Sequence, residues 1–223
     1  MRADARRVEI LRAASRVFRS HGFSAAGMRD IAVAADLSPG NLYHYFRGKN
    51  ELLYFCQDRT LDKLTAALAA ARREDGQTLD ARLRQLARTH VLCLLDEVDG
   101  SAAHFEIDAL PRRLRTLIVA KRDKYERGVR AVVAEGARSG QLAVIDPTIA
   151  TRAFLGALNW TAHWFRPGGT DAAEHVADVV SDFAVAGLTR DAHDRSSVDR
   201  PRRQRRADAS RVRAVQNAPR GAA

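Results

Sequence analysis

The segment SPGNLYHYFRGKNELL, Ser38 to Leu53, decides how the rest of the chain is read. Ser38 is a good N-cap, because its hydroxyl can accept from an otherwise unpaired N–H of a first helical turn, and Pro39 fits the first helical position, where a missing N–H is no loss. The helix that follows, Pro39 to Phe46, carries Tyr43, His44 and Tyr45 in succession. Consecutive helix residues do not share a face, so a core can take only part of this cluster. Leu42 and Phe46, four apart, take the inward side and leave Gly40, Asn41, His44 and Tyr45 outward or lateral, facing a partner outside the chain. Arg47-Gly48 closes the helix and a long one opens near Lys49.

Upstream, Ile10, Leu11, Ala14, Val17 and Phe18 recur at three- and four-residue spacing and predict an amphipathic helix from Asp4 to Ser20, ended by His21-Gly22. Met28 to Ala35 reads as a short second helix with Ile31 and Ala32 inward, followed by a turn at Asp36-Leu37. Two short helices separated by about four residues have the spacing of a helix-turn-helix, whose second helix enters the DNA major groove. Asn41 and His44 can then read base edges, while tyrosine hydroxyls and Lys49 can bond phosphate oxygens.

Downstream the pattern stays helical. Leu52, Leu53, Cys56, Leu61 and Leu64 mark a fourth helix, and Thr78 to Glu97 a fifth. Arg112 to Ser139 forms one long helix or two, with Leu114, Leu117, Ile118, Tyr125, Val129, Val132 and Val133 inward. Asp146-Pro147 repeats the cap-plus-proline start, and Ala153 to Phe165 is apolar on nearly all faces, so it must be buried on several sides. Asp171 with Glu174 resembles a capping box for a last helix carrying Val176, Val179, Val180, Phe183 and Leu188. No strand and no internal repeat is evident. The fold class is all-α, with about nine helices in all.

The net charge is +10, and its placement is informative. Residues 1–50 hold nine Lys/Arg against four Asp/Glu, residues 190–223 hold ten Arg against four Asp, and the stretch between is nearly neutral. Positive ends around a neutral centre indicate a polyanionic partner for the ends and a different task for the middle. After Leu188 the apolar periodicity stops, and 190–223 is too poor in large apolar residues to offset its ordering entropy, which predicts a disordered tail. No run reaches the roughly 18 apolar residues of a membrane span and the N-terminus has no secretory stretch, so the expected location is the cytoplasm without membrane contact. Cys56 and Cys93 fit neither a disulfide framework nor a C-x-x-C pair and read as buried thiols.

Candidate chemistry beyond DNA contact is sparse. No phosphate-cradling glycine loop, G-x-S-x-G elbow or H-E-x-x-H is present, which argues against an enzyme, and no cofactor is called for. His90, Cys93, His104, Glu106 and Asp108 have metal-ligand chemistry, but only His90 and Cys93 share a helix face, so no metal site is assigned. Trp160, His163 and Trp164 can line a pocket or pack in an interface. Arg112, Arg113 and Arg115 can hold a phosphate-bearing ligand or form a solvated helix face.

Residues 8–55, through HGFSAAGMRDIAVAADLSPGNLYHYFRGKNELL, resemble the TetR family of transcriptional regulators, because glycine, aromatic, Ile-Ala, Leu-Tyr-x-Tyr-Phe and lysine all fall at that family's spacings. The resemblance implies a helix-turn-helix domain over 1–48, a helical ligand-binding and dimerisation domain over 49–189, and an arginine-rich tail over 190–223. It implies DNA contacts from Arg29, Ser38, Pro39, Gly40, Asn41, Tyr43, His44, Tyr45 and Lys49, with Tyr43, Tyr45 and Lys49 on phosphates. Two positions depart from the pattern: Gly27 stands where the family has a capping Ser or Thr, and Asp36 stands where the turn has glycine. Ala157 to Gly169 further resembles a subgroup responding to acyl-coenzyme A thioesters. Its pocket would draw on Arg112, Arg152, Trp160, His163 and Trp164, although Gly156 replaces the subgroup's arginine one turn before the first tryptophan. The implied whole is a homodimer through its last two helices, a repressor released from an inverted-repeat operator by a small-molecule effector. Two rival readings are a non-sequence-specific nucleic-acid binder driven by the tail and a metal or redox sensor on the same scaffold.

Overall fold

A computed structural model describes residues 2–73, 76–96 and 106–189, with side chains from residue 5 onward. The arginine-rich segment 190–223 and His104 lie outside the described residues. Within them the chain forms eight α-helices: α1 Arg2–Ala25, α2 Met28–Ala34, α3 Pro39–Tyr45, α4 Lys49–Arg73, α5 Leu79–Leu95, α6 Arg112–Arg138, α7 Pro147–Trp164 and α8 Ala173–Thr189. A 3-10 turn, Glu106–Ala109, precedes α6, and no strand occurs among the described residues.

Local chemistry sets the helix starts. Ser38 Oγ accepts from the Asn41 N–H at 3.2 Å, Thr78 Oγ1 from the Ala81 N–H at 3.2 Å, and Asp146 Oδ1 from the N–H groups of Thr148 and Ile149 at 2.8 and 3.1 Å. Each satisfies donors that a first turn leaves orphaned. Helix α8 begins at Ala173, and the Val176 N–H donates to the Ala172 carbonyl, so Ala172 rather than Asp171 occupies the cap. Gly22, at φ 75° and ψ 158°, breaks the helical course of α1 near its end, a conformation that glycine adopts without a Cβ clash.

Two apolar clusters organise the described chain. The first gathers Ile10, Leu11, Phe18, Ile31, Leu42 and Phe46 around Leu52, Leu53, Cys56 and Leu61 of α4, and it takes in Leu110 and Ile118. The second packs Leu64 and Leu68 of α4 against α5, α6, α7 and α8 through Leu83, Val91, Tyr125, Val129, Phe154, Leu158, Ala177 and Val185. Helix α4 is therefore a single rod that contributes to both cores. The stretch Arg112–Arg138 is one helix, and its inward stripe omits Leu117, which lies 47% exposed beside fully buried Ile118, one residue and about 100° off the stripe.

Gly136 marks a close approach between α6 and its neighbours. A Cβ there would meet Leu79 Cδ2 at 2.4 Å and Leu142 Cδ1 and Cγ at 2.6 and 2.7 Å. Gly136→Ala is expected to lower the unfolding free energy by about 1 kcal/mol or more, because overpacking outweighs the helix propensity gained. Gly187→Ala on α8, where a Cβ meets nothing within 4 Å, should raise it instead. Urea melts of the two variants check this opposition of sign.

Candidate nucleic-acid interface and effector cavity

The α2–turn–α3 unit is fixed from the α1 side. Asp36 adopts φ 53°, the left-handed value that glycine usually supplies and that aspartate tolerates. The Leu37 N–H returns to the Ala32 carbonyl at 2.9 Å. Arg6 Nη2 donates to the Ala35 and Asp36 carbonyls at 3.3 and 3.4 Å, and Arg16 Nη2 to the Ala34 carbonyl at 3.2 Å. Two cations thus satisfy the carbonyl end of α2, where the helix dipole is negative. At its other end Gly27 offers no side-chain cap; instead its own N–H donates to Asp30 Oδ2 at 3.0 Å.

Burying Leu42 and Phe46 rotates the remaining face of α3 outward. Ser38, Pro39, Gly40, Asn41, Tyr43 and His44 are exposed, as is Arg29 on α2, while Tyr45 is half-buried against the core. The exposed groups combine amide, imidazole, phenol and guanidinium, which suits both base edges and phosphates. Lys49 is used differently from the sequence expectation. Its Nζ donates to the carbonyls of Phe23, Ser24 and Ala26 at 3.0, 2.9 and 3.4 Å and lies 4.9 Å from the Phe23 ring centroid. Here the ammonium ties the start of α4 to the end of α1. Lys49→Met, which keeps most of the stem and loses these bonds, should cost about 1–2 kcal/mol of stability in denaturant melts.

A cavity of about 290 Å³ opens between α4, α5, α6 and α7, lined by Leu61, Leu64, His90, Arg122, Tyr125, Glu126, Arg152, Leu155, Gly156 and Asn159. His90, only 2% exposed, sits in its wall with Nδ1 3.0 Å from Tyr125 Oη and Nε2 3.0 Å from Asn159 Oδ1. The Asn159 oxygen can only accept, which assigns the His90 proton to Nε2 and makes Tyr125 Oη the donor to Nδ1. Burial holds the His90 pKa down at about 4 despite the opposing bond to Asn159, so the ring is neutral at physiological pH. Burial likewise pushes the Tyr125 phenol up and the Arg122 guanidinium down. Arg122 Nη2 donates to Gln57 Oε1 of α4 at 3.3 Å, and exposed Arg152 has its Nε 3.8 Å from Glu126 Oε1.

Of the five pocket residues expected from sequence, only Arg152 lines this cavity. Arg112 is exposed at the start of α6, ten residues and about 15 Å of helix before Arg122. Trp160, His163 and Trp164 are exposed toward the C-terminal end of α7, the tryptophans 62% and 43% so, with the Trp160 and His163 ring centroids 4.5 Å apart. The reason is rotational: Phe154, Leu155, Leu158 and Thr161 take the inward face of α7 and turn both tryptophans out. The sequence reading does not place His90, Arg122, Tyr125 and Asn159 in the lining of this cavity. Their one sequence trace is polar groups placed on otherwise apolar stripes. A second cavity of about 270 Å³ is lined by Ala71, Leu79, Arg82 and Val132 among others. Among the described residues no group of three His, Cys, Asp or Glu could hold a metal ion, and no described helix is long and apolar enough to cross a membrane.

Comparison with known proteins matches residues 10–54 to the family described as bacterial regulatory proteins, tetR family, and residues 76–188 to the tetracyclin repressor-like, C-terminal domain. The HTH-type transcriptional repressor KstR2 of Rhodococcus jostii (strain RHA1) is 29% identical over 197 residues, covering 82% of this chain and 91% of that protein. Among solved structures, the TetR family transcriptional regulator PfmR from Thermus thermophilus is similar with a TM-score of 0.71 and 32% identity, over 81% of this chain and 99% of that one. AibR in complex with isovaleryl coenzyme A and operator DNA is similar with a TM-score of 0.66 and 25% identity, over 82% and 98%. These relatives are regulators rather than enzymes, and the family match spans both the helix-turn-helix and the helical region that follows it. The chain belongs to the TetR family of DNA-binding transcriptional regulators.

Proposed function

We propose that the protein is a homodimeric repressor, released from an inverted-repeat operator by a small-molecule effector that is a coenzyme A thioester. Residues 1–48 would serve as the DNA-reading unit and 49–189 as the effector and dimer unit, with the regulator acting on DNA in the cytoplasm. The observation that carries the reading is the outward face of α3: with Leu42 and Phe46 buried, Asn41, Tyr43 and His44 stand in solvent at the end of a braced turn. The thioester reading is supported by the two arginines of the cavity wall and by the complex that the AibR relative forms with isovaleryl coenzyme A. The dimer reading is supported by an apolar surface on α7 and α8, where Trp160, Trp164, Val179 and Phe183 are all exposed.

A route from effector to DNA runs through α4. Leu61 lines the cavity and also packs in the N-terminal core, and Gln57, one turn earlier, receives the bond from cavity-lining Arg122. A ligand that presses on Leu61 or draws Arg122 away moves a rod whose first turns hold the DNA-reading unit. It can shift operator affinity only by its own differential affinity for the two states, typically 1–3 kcal/mol. Footprinting on the DNA upstream of the chain's own gene, repeated with isovaleryl-coenzyme A, tests the reading. A protected inverted repeat with half-sites about 34–36 Å apart, or a multiple of this, and released by the thioester, is expected. Asn41→Ala should blunt the preference for that site over random DNA while leaving random-DNA affinity nearly unchanged. Protection that the thioester leaves intact would remove the effector class, and binding without any site preference would favour the tail-driven, non-specific reading.

A further inference from the structure

The Tyr125–His90–Asn159 chain leaves a directed hydrogen-bond donor at the cavity wall. Asn159 spends its Oδ1 on His90, and His90 spends its other nitrogen on Tyr125. The Asn159 side-chain nitrogen carries two further donors on the same planar fork, and the residue is half-exposed and lines the cavity. Because His90 is held between two partners, it fixes the direction in which the Asn159 amide points. Tyr125 Oη, having donated to His90, keeps acceptor capacity beside it. The remaining lining divides into two parts. Leu61, Leu64 and Leu155 are apolar, whereas Arg122, Arg152 and Glu126 together leave one net positive charge. The cavity is small as well, about 290 Å³, at the low end of ligand pockets, which suits a short acyl group.

Resting on the effector reading above, we propose that the cavity takes a short acyl group bearing a hydroxyl or carbonyl oxygen, which accepts a hydrogen bond from the Asn159 amide, while Arg122 and Arg152 hold the anionic remainder of the thioester. A hydroxyl can in addition donate to Tyr125 Oη, so it answers both groups at once. A long unsubstituted chain answers neither. Coenzyme A itself supplies the anionic phosphates for the arginines.

Calorimetric titration of the full-length protein with free coenzyme A, butyryl-coenzyme A, 3-hydroxybutyryl-coenzyme A and palmitoyl-coenzyme A tests this. The hydroxylated thioester is expected to bind about tenfold more tightly than butyryl-coenzyme A, as one further hydrogen bond provides, and palmitoyl-coenzyme A no more tightly than butyryl. Asn159→Asp keeps an acceptor for His90 and removes the donor, so it should erase the hydroxyl preference. Equal binding of the two four-carbon thioesters by the wild-type protein, or tightest binding of palmitoyl-coenzyme A, would overturn the proposed acyl class and leave the thioester reading standing. If none of the three binds better than free coenzyme A, the thioester reading fails and the acyl class with it. The wild-type comparison decides the matter even if Asn159→Asp does not fold.

Discussion

Replacing Phe183 with aspartate is expected to give a folded monomer whose operator affinity has dropped by about a hundredfold or more, the scale of the avidity that a linked second half-site provides. Phe183 is 74% exposed on α8, one turn from Val179 at 54%, while Trp160 and Trp164 of the neighbouring α7 are 62% and 43% exposed. A run of large apolar side chains on two adjoining helices is what an interface leaves bare on a single subunit. Across a twofold axis each residue is buried twice, so one Phe183→Asp change removes two apolar anchors of about 1.5–3 kcal/mol each and adds two carboxylates with no counter-charge. The subunit itself should survive, because α8 holds its own fold from the other side through Val176, Ala177, Ala184, Val185 and Leu188. Light scattering after size exclusion, far-ultraviolet circular dichroism and an operator titration read the three consequences separately. A Phe183→Asp protein that remains dimeric would move the interface off these helices.

Much of the DNA-reading unit is legible in the sequence because its signals are local. The Ser38-Pro39 start, the Leu42 and Phe46 spacing and the turn at Asp36-Leu37 all depend on residues within a few positions of one another, and the structure shows each of them. Lys49 reads as a free cation because nothing in its own neighbourhood reveals that the end of α1, some 25 residues earlier, arrives beside it. The cavity is harder still. The hydrogen-bonded chain in its wall takes one residue each from α5, α6 and α7, Tyr125 and Asn159 lying 35 and 69 positions from His90, and only tertiary packing brings them together. Helix α7 is apolar nearly all round, and such a pattern states that both faces are covered without saying which is covered by the same chain. That ambiguity leaves Trp160 and Trp164 between a pocket and an interface, and the structure gives the inward face to Phe154 and Leu158 instead.

His90 is expected to make the fold acid-sensitive well before its carboxylates titrate. The ring is fully buried and neutral, and its pKa falls from the ordinary 6.5 to about 4, chiefly because burial penalises the charged form. In the unfolded chain His90 takes up a proton as the pH drops through 6.5, while the folded chain refuses it until about pH 4. The unfolded state therefore binds more protons throughout this window, and stability that is intact above pH 6.5 is lost progressively down to about pH 4. Between pH 7.5 and 5.0 the loss should amount to about 2 kcal/mol. His90→Gln isolates the effect, since glutamine can still accept from Tyr125 and donate to Asn159 but cannot be protonated in this range. Urea melts of both proteins at the two pH values give the test: the wild type should lose about 2 kcal/mol more than His90→Gln. Parallel losses would mean that folded His90 takes up its proton as readily as an exposed ring, contrary to its burial between Tyr125 and Asn159.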